Sequence, residues 1–201
     1  KMILNKSISV SLLMIFFIPL SIMKKDVVFF FFSFQYCPKC GSKKFNKHTE
    51  KSNKCDSCGF VYFLNPSAAV AAFICDEDGR LLLCRRAKNP QKGTLDLPGG
   101  FVDSNETAEE ALKRELQEEL NVVVENTTYL FSFPNVYRYS DLDIPTLDLF
   151  FECKIDTFAS IEVADDVASA EFYHLNDICL EEIGLNSIRK AVAYYIVQKK
   201  K

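Results

Sequence analysis

Residues 97–122, LPGGFVDSNETAEEALKRELQEELNV, form the stretch that decides the fold. Two glycines precede a segment in which apolar residues recur at helical spacing between strong helix formers, which predicts a helix from Glu106 to Leu120. Three glutamates fall near the end of that helix: Glu115, Glu118 and Glu119. At about 100° per residue, these side chains lie within one arc of about 100°, so their carboxylates converge on one side of the helix.

The crowding of three carboxylates needs a physical reason. Like charges at i,i+4 spacing destabilise a helix by roughly a few tenths of a kcal/mol per pair, and converging carboxylates raise one another's pKa. A bound Mg²⁺ or Mn²⁺ reverses the sign of this interaction, because hard divalent cations take oxygen ligands and can bridge to phosphates. The alternative is a solvated acidic face, which is the usual explanation of a charge run and which spacing alone does not exclude.

The wider pattern resembles the signature of Nudix hydrolases, G-x5-E-x7-R-E-U-x-E-E-x-G-U, in which U is an aliphatic residue. The match runs from Gly100 to Val122 and fails at one position, where Asn121 replaces a glycine. The family glycine closes the helix in the left-handed conformation, and asparagine is the next-best residue there. We therefore expect Asn121 to keep the same loop geometry.

The resemblance covers about residues 65 to 198 and implies an α/β (α+β) fold, with a mixed β-sheet sandwiched between helices. It also implies hydrolysis of a nucleoside diphosphate linked to another moiety, with release of a nucleoside monophosphate. By position, four groups would bind the catalytic Mg²⁺ or Mn²⁺: the carboxylates of Glu115, Glu118 and Glu119 and the backbone carbonyl of Gly100. Glu106 and Arg114 would mainly hold the loop to the helix by charge pairing.

The reaction implied by the resemblance is an in-line attack of water on phosphorus, with the metal ions withdrawing charge from the pyrophosphate oxygens. Either Glu115 or a downstream acid would accept the proton of the water. Family members often place such an acid about six residues before an aromatic residue that ends a late strand, and Asp166 stands six residues before Phe172. A solvated loop acid is the alternative explanation of Asp166.

The rest of the region alternates between strands and helices. Residues 67–86 predict two apolar strands joined in a hairpin at Asp78-Gly79, since Asp-Gly between apolar runs is a strong hairpin signal. A polar loop follows at residues 87–96. Further strands are predicted at residues 121–133, 146–155 and 169–175, and a closing helix at residues 187–200.

The eight cysteines are of two kinds. Two C-x-x-C-G units place Cys37, Cys40, Cys55 and Cys58 as the ligands of a zinc ribbon over residues 35–62. A disulfide pair or a redox dithiol are the alternatives. The other four, which we expect to be small buried hydrophobic residues, are Cys75, Cys84, Cys153 and Cys179. A zinc thiolate site favours a reducing compartment, so we expect a cytoplasmic protein.

The charges are divided unevenly along the chain. Residues 35–62 contain six lysines and two acidic residues, whereas residues 63–201 contain 14 Lys and Arg against 24 Asp and Glu, a net charge near −10. The larger part is therefore a poor general binder of nucleic-acid backbones. The ribbon lysines motivate a second hypothesis, a Nudix-like nucleotide sensor or regulator that binds RNA or DNA; they are Lys39, Lys43, Lys44, Lys47, Lys51 and Lys54. Zinc thiolates would offset part of their charge.

The N-terminal residues 1–34 form an apolar leader. Residues 8–23 are too short for a bilayer span of about 20 residues, contain Pro19, and are not followed by a signal-peptidase site. A misplaced translation start, with Met23 as the true initiator, competes with a real anchor or an unusual leader. No membrane association is expected unless this leader is real.

A zinc ribbon directly before a Nudix domain resembles the NADH pyrophosphatase branch, whose hallmark is S-Q-P-W-P-F-P-x-S. Residues 132–140, SFPNVYRYS, keep both serines and one proline, but lack the tryptophan and two prolines. NADH, NAD or ADP-ribose are therefore the expected substrates, although the base is not determined. The residues that could stack on a base or pair with phosphate are Tyr137, Tyr139, Arg85, Arg86 and Arg138. Ordinary strand packing would also explain the aromatic residues.

Other enzyme classes find little support. The two histidines, His48 and His174, are not near a serine or cysteine motif, which argues against a Ser-His or Cys-His enzyme. A G-x4-G-K-[ST] phosphate loop does not occur. The ribbon is expected to be structural, and it could help to form a homodimer.

Overall fold

The computed structural model describes residues 34–159 and 161–200. The chain divides into two compact units, Lys1–Leu64 and Asn65–Lys201. The apolar segment 8–23 and the alternative start at Met23 lie outside the described residues. Within the described residues, no helix is both long and apolar enough to cross a membrane.

The first unit contains a small antiparallel sheet. Its strands are β1 (Phe45–Thr49), β2 (Ser52–Cys55) and β3 (Val61–Phe63), in the order β1-β2-β3. Two turns of the same design precede β1 and connect β2 to β3: the N–H of Gly41 donates to the carbonyl of Cys37, and the N–H of Gly59 donates to that of Cys55. Both glycines have φ near +70°, a conformation that favours glycine.

The second unit is a mixed α+β fold. Its elements are β4 (Ser67–Ile74), β5 (Leu81–Arg86), β6 (Leu95–Asp96), α1 (Ala108–Leu120), β7 (Val124–Tyr139), β8 (Leu142–Ile155), β9 (Val167–Tyr173), a 3₁₀ turn (Leu180–Glu182) and α2 (Asn186–Lys199). They form two three-stranded sheets, β4-β8-β7 and β6-β5-β9. The first sheet is mixed, since β4 is parallel to β8 and β7 is antiparallel to it.

Strand β4 shows why helices cover both faces of the sheets. Successive side chains of a strand point to opposite faces, and both faces of β4 are buried. Val70 and Ile74 join a core with the apolar side of α1, whereas Ala71 and Phe73 join a separate core with α2. The predicted β-structure sandwiched between helices is confirmed, in the form of two small sheets.

Helix α1 is fixed at both ends by local sequence. Thr107 Oγ1 accepts from the N–H of Glu110, and Glu110 Oε2 accepts from the N–H of Thr107, which together form a capping box. Asn121 has φ 55° and ψ 36°, and its N–H donates to the carbonyl of Gln117. The left-handed geometry predicted for Asn121 is confirmed.

The predicted hairpin at Asp78-Gly79 is wrong in one respect. The turn is present and is fastened by Asp76, which accepts from the N–H groups of Asp78 and Arg80. The two strands pair through a single bridge, Cys75 with Leu81, and then enter different sheets. The loop before α1 takes the edge of β4 that a hairpin partner would have occupied, since the N–H groups of Val70 and Ala72 donate to the carbonyls of Gly100 and Pro98, and β8 pairs with the opposite edge.

Two smaller expectations also need correction. The predicted polar loop at residues 87–96 ends in a short buried strand, Leu95–Asp96, which pairs with β5. Of the four scattered cysteines, Cys84 and Cys153 are buried as predicted, but Cys179 is exposed and donates to Glu181. Cys179 lies in the irregular segment between β9 and α2, where no strand or helix carries it into a core.

Candidate active site

Arg114 organises the acidic side of α1. Its Nη1 donates to Glu115 Oε1 at 2.8 Å and to Glu118 Oε2 at 3.2 Å. Its Nη2 and Nε donate to the two carboxylate oxygens of Glu106 at 2.7 and 3.2 Å. Glu106 also accepts from the N–H of Asp103 at 2.6 Å, so this ion pair ties the loop before α1 to the helix. The pairing that the resemblance implies for Glu106 and Arg114 is present in the structure.

Glu119 is the most buried acid on this side of the helix. It is 6% exposed, and its Oε2 accepts from the N–H of Gly99 at 2.8 Å. Burial raises the pKa of Glu119 to about 8 against the lowering effect of this hydrogen bond, and the neighbouring carboxylate of Glu115 adds to the rise. Burial also raises the pKa of Glu115, while Arg114 opposes that shift. A positive charge beside these groups would favour their ionised forms.

The two glycines leave no space for side chains. Gly99 has φ +141°, and a Cβ there would lie 2.2 Å from the carbonyl oxygen of Val70. A Cβ on Gly100 would lie 2.5 Å from the carboxyl carbon of Glu115. The carbonyl of Gly100 accepts from the N–H of Val70, which anchors the loop on the edge of β4. This close approach places the Gly100 backbone directly beside the carboxylate of Glu115.

A cavity of about 290 Å³ opens along these groups. From the loop and α1 it is lined by Gly99, Gly100, Glu115, Glu118 and Glu119. From the strands and the segment before β9 it is lined by Arg85, Arg86, Asp96, Asn135, Tyr137, Thr146, Asp148, Asp165 and Asp166. The cavity therefore joins most of the residues that the sequence predicts for catalysis and substrate binding.

The two cavity arginines are held by different partners. Arg86 Nη1 donates to Asp96 Oδ2 at 2.5 Å, and its Nη2 approaches the hydroxyl of Tyr137 at 3.4 Å. Burial raises the pKa of Asp96 to about 6, although Arg86 opposes the shift. Arg85 donates to the carbonyl of Gly93 at 2.7 Å and lies 3.6 Å from Glu182. Arg85 is the more exposed of the two and is the cation less tightly committed to a carboxylate.

Asp166 lies in the cavity but is engaged by a lysine. Lys88 Nζ is 2.5 Å from Asp166 Oδ1 and 2.7 Å from Asp165 Oδ1. These two hydrogen bonds raise the pKa of Lys88. The segment is tied to α1, because the N–H of Ala164 donates to the carbonyl of Glu119. Asp166 is thus near the glutamates, and its role as a proton acceptor stays a prediction.

The residues of the β7–β8 hairpin that were predicted to bind substrate do not all face the cavity. Tyr137 lines the cavity, and its ring packs edge-to-face against that of Phe101, with the ring centroids 5.4 Å apart. Arg138 and Tyr139 do not line it; Arg138 pairs with Asp143 at 3.0 Å, and Tyr139 is 59% exposed near the hairpin tip. The structure therefore gives support from position to Tyr137, Arg85 and Arg86, and none to Arg138 or Tyr139.

Comparison with known proteins places this geometry in a family. The profile of the NUDIX domain matches residues 65–195. The chain belongs to the Nudix family.

Individual relatives agree with this assignment. The Nudix protein is 34% identical over 137 residues to an ADP-ribose pyrophosphatase of Methanocaldococcus jannaschii, covering 68% of this chain and 77% of that one. It is 35% identical over 103 residues to the NAD-capped RNA hydrolase NudC of Chromobacterium violaceum, covering 51% of this chain but 38% of that one. A Nudix hydrolase structure from Nitrosomonas europaea matches with a TM-score of 0.64 at 21% identity, covering 83% of this chain and 93% of that one, which shows the fold alone.

The Nudix site has the chemistry that a divalent cation requires. Its donors are hard oxygens, and the buried carboxylate of Glu119 carries a raised pKa that a cation would lower. The ligand atoms of the three glutamates are not gathered as closely as those of the cysteines, and the guanidinium of Arg114 contacts both Glu115 and Glu118. Among the described residues, only the four cysteines bring all their ligand atoms within 4.8 Å of one another.

The four cysteines of the first unit match a tetrahedral thiolate site. Cys37 Sγ lies 3.8 Å from Cys58 Sγ, and Cys40 Sγ lies 3.7 Å from Cys55 Sγ. Four sulfurs placed tetrahedrally at a Zn–S distance of about 2.3 Å are about 3.8 Å apart. All four are free thiols in this structure, and their spacing exceeds that of an S–S bond, which is about 2.05 Å.

Several cavity residues were not predicted from the sequence of this Nudix protein. They are Asp96, Asp148, Thr146, Asn135 and Asp165. Only Asp148 could have been suspected from its sequence pattern. Thr146, Asp148 and Phe150 are every second residue of β8, so they lie on one face of the strand, and all three are buried. An acidic residue among core positions of a strand is unusual. The others belong to loops or strand ends whose neighbours depend on the tertiary fold.

Proposed function

We propose that this Nudix protein is a Mg²⁺- or Mn²⁺-dependent hydrolase that cleaves the pyrophosphate linkage of a nucleoside diphosphate derivative and releases a nucleoside monophosphate. The observation that carries the proposal is the shared cavity, where three carboxylates of α1 face the same space as Arg85 and Arg86. Carboxylates suit the cations, and guanidinium groups suit phosphate oxygens.

We assign cation binding and loop positioning to different residues of the site. Glu115, Glu118 and Glu119, with the Gly100 carbonyl, would hold the cation, which when bound neutralises phosphate charge and lowers the pKa of water. The pair Glu106 and Arg114 orients the loop against the helix.

Substrate contacts and proton transfer fall to other residues. Arg85 is placed to contact a phosphate oxygen, and Tyr137 is placed to pack against a ring of the substrate. Either Glu115 or Asp166 would accept the proton of the attacking water.

NADH, NAD and ADP-ribose are the proposed substrates. Support comes from relatives named for ADP-ribose and for NAD-capped RNA, although the chain spans only about two fifths of the length of the NudC relative. We favour small nucleotides over RNA, because the catalytic unit carries a net charge near −10 and acidic residues outnumber arginines in its cavity lining, eight to two.

The cysteine site is proposed to hold one structural Zn²⁺. The sulfur spacing supports this, and a closed set of four thiolates leaves no position for a substrate. Reduced thiolates persist in a reducing compartment, which is the basis for proposing the cytoplasm.

A product assay tests the proposed reaction. Purified protein would be incubated with NADH, NAD, ADP-ribose, diadenosine polyphosphates and UDP-sugars, each with Mg²⁺, with Mn²⁺ and with EDTA. We expect AMP from NADH or ADP-ribose only when a divalent cation is present. Protein that binds these nucleotides without cleaving any of them would instead favour the sensor hypothesis, as would RNA or DNA binding with a steep salt dependence.

A further inference from the structure

Asp148 lines the cavity away from the loop that leads into α1. Ala69 of β4 pairs with Phe101 of the loop on one edge and with Asp148 of β8 on the other. Neighbouring strands are about 4.8 Å apart, so the backbone of Asp148 lies about 10 Å from the loop that leads into α1. If the diphosphate is held at this loop, as the proposed function requires, Asp148 is within reach of the group attached to the diphosphate.

The carboxylate of Asp148 is held in a fixed orientation. Thr146 Oγ1 donates to Oδ1 at 2.6 Å, and Ser187 Oγ donates to Oδ2 at 2.5 Å. Asp148 is only 7% exposed, yet it lines the cavity. A carboxylate can accept about four hydrogen bonds, so acceptor capacity remains for a ligand after these two. Asp148 is therefore a preorganised acceptor.

The charges around Asp148 disfavour a second anion. Of the described residues that line the cavity, only Arg85 and Arg86 are cationic. Arg86 is committed to the buried carboxylate of Asp96, and Arg85 is the cation proposed to contact the diphosphate itself. The two cavity residues at the start of α2, Leu185 and Ile188, are apolar. A phosphate beside Asp148 would therefore meet a buried negative charge without a free cation.

We propose that Asp148 is the specificity residue of this enzyme. It accepts a hydrogen bond from a neutral donor on the moiety attached to the diphosphate, and it excludes a phosphorylated group from that place. The donor chemistry is a sugar hydroxyl or the amino group of a base. The inference rests on the proposed function, since it names which substrates that reaction accepts.

Paired substrates test this selection. NADPH differs from NADH by a phosphate on one ribose hydroxyl, and two further analogues of NADH carry hypoxanthine in place of adenine or lack that hydroxyl. We expect wild-type protein to prefer NADH to NADPH in kcat/KM, and Asp148→Asn to reduce this preference by about 10- to 100-fold, the effect of losing an interaction with a charged group. The loss that Asp148→Asn causes with NADH should disappear for the analogue that lacks the contacted donor, which distinguishes base from sugar.

Two further variants separate selection from folding. Asp143→Asn lies on the same strand outside the cavity lining and should leave all ratios unchanged. Ser187→Ala removes one hydrogen bond behind the carboxylate and should relax the NADH preference partially, which keeps the test available if Asp148→Asn does not fold. If Asp148→Asn and Ser187→Ala each lower kcat/KM by the same factor for every substrate, the proposed selection is overturned. Failure of wild-type protein to cleave NADH, NAD and ADP-ribose alike would instead overturn the proposed function beneath it.

Discussion

Replacing Glu118 with glutamine is expected to lower kcat/KM for the preferred nucleotide by about 10²- to 10³-fold, the usual effect of removing one electrostatic contact from a phosphoryl or acyl transfer site. Glutamine keeps the size of the side chain but removes the charge that a divalent cation needs. The Glu118 side chain is half exposed, so this change should leave folding intact. Steady-state kinetics at saturating Mg²⁺, together with thermal melting, would measure both effects.

Glu109→Gln is the matched control for this loss. Glu109 lies on the same helix, in its first turn, and is exposed outside the cavity lining. It should retain wild-type kinetics. Glu118→Gln activity within about threefold of wild type would contradict a cation-binding role for Glu118, since a ligand to the catalytic ion cannot be dispensable.

Replacing Cys37 with serine is expected to abolish zinc binding and to unfold the first unit. Its own core is small, formed by Cys37, Phe45 and Cys55 with two partly buried aromatic residues. A structural Zn²⁺ contributes about 10 to 16 kcal/mol to the folding of such a unit, far more than this core could supply. Metal analysis should fall from one zinc per chain to none, and amide exchange protection should be lost over β1, β2 and β3.

Cys179→Ser provides the comparison for that experiment. Cys179 is a free, exposed thiol far along the chain from the ribbon cysteines. This variant should keep one zinc and full protection of the three strands. Retention of both properties by Cys37→Ser would show that the four thiols do not form the expected site.

The site and the fold differ in how far the sequence predicts them. Helix α1, its left-handed end at Asn121 and the shared side of its three glutamates depend on residues close in sequence, so they could be predicted, whereas the preference for a cation site over a solvated acidic face came from the family resemblance. The same holds for the cysteine cluster, because two repeated turns fix each pair of sulfurs. Residues close in sequence were therefore enough to name the candidate ligands of the two proposed ion sites.

Features that depend on distant partners were not predictable in this way. Asp78-Gly79 correctly indicates a turn, but the turn does not determine that β4 pairs with β8, some 80 residues later. That pairing brings Asp148 beside Ala69 and buries it against Ser187 of α2. The specificity proposed for Asp148 thus arises from tertiary contacts, which a single sequence does not display.

The central claim is that the acidic side of α1 binds the catalytic cation. Anomalous scattering from crystals equilibrated with MnCl₂ and a non-hydrolysable methylene analogue of ADP-ribose tests it directly. The account predicts Mn²⁺ at about 2.0 to 2.2 Å from carboxylate oxygens of Glu115, Glu118 and Glu119, between the helix and the diphosphate. Bound analogue with no Mn²⁺ at these carboxylates would contradict it.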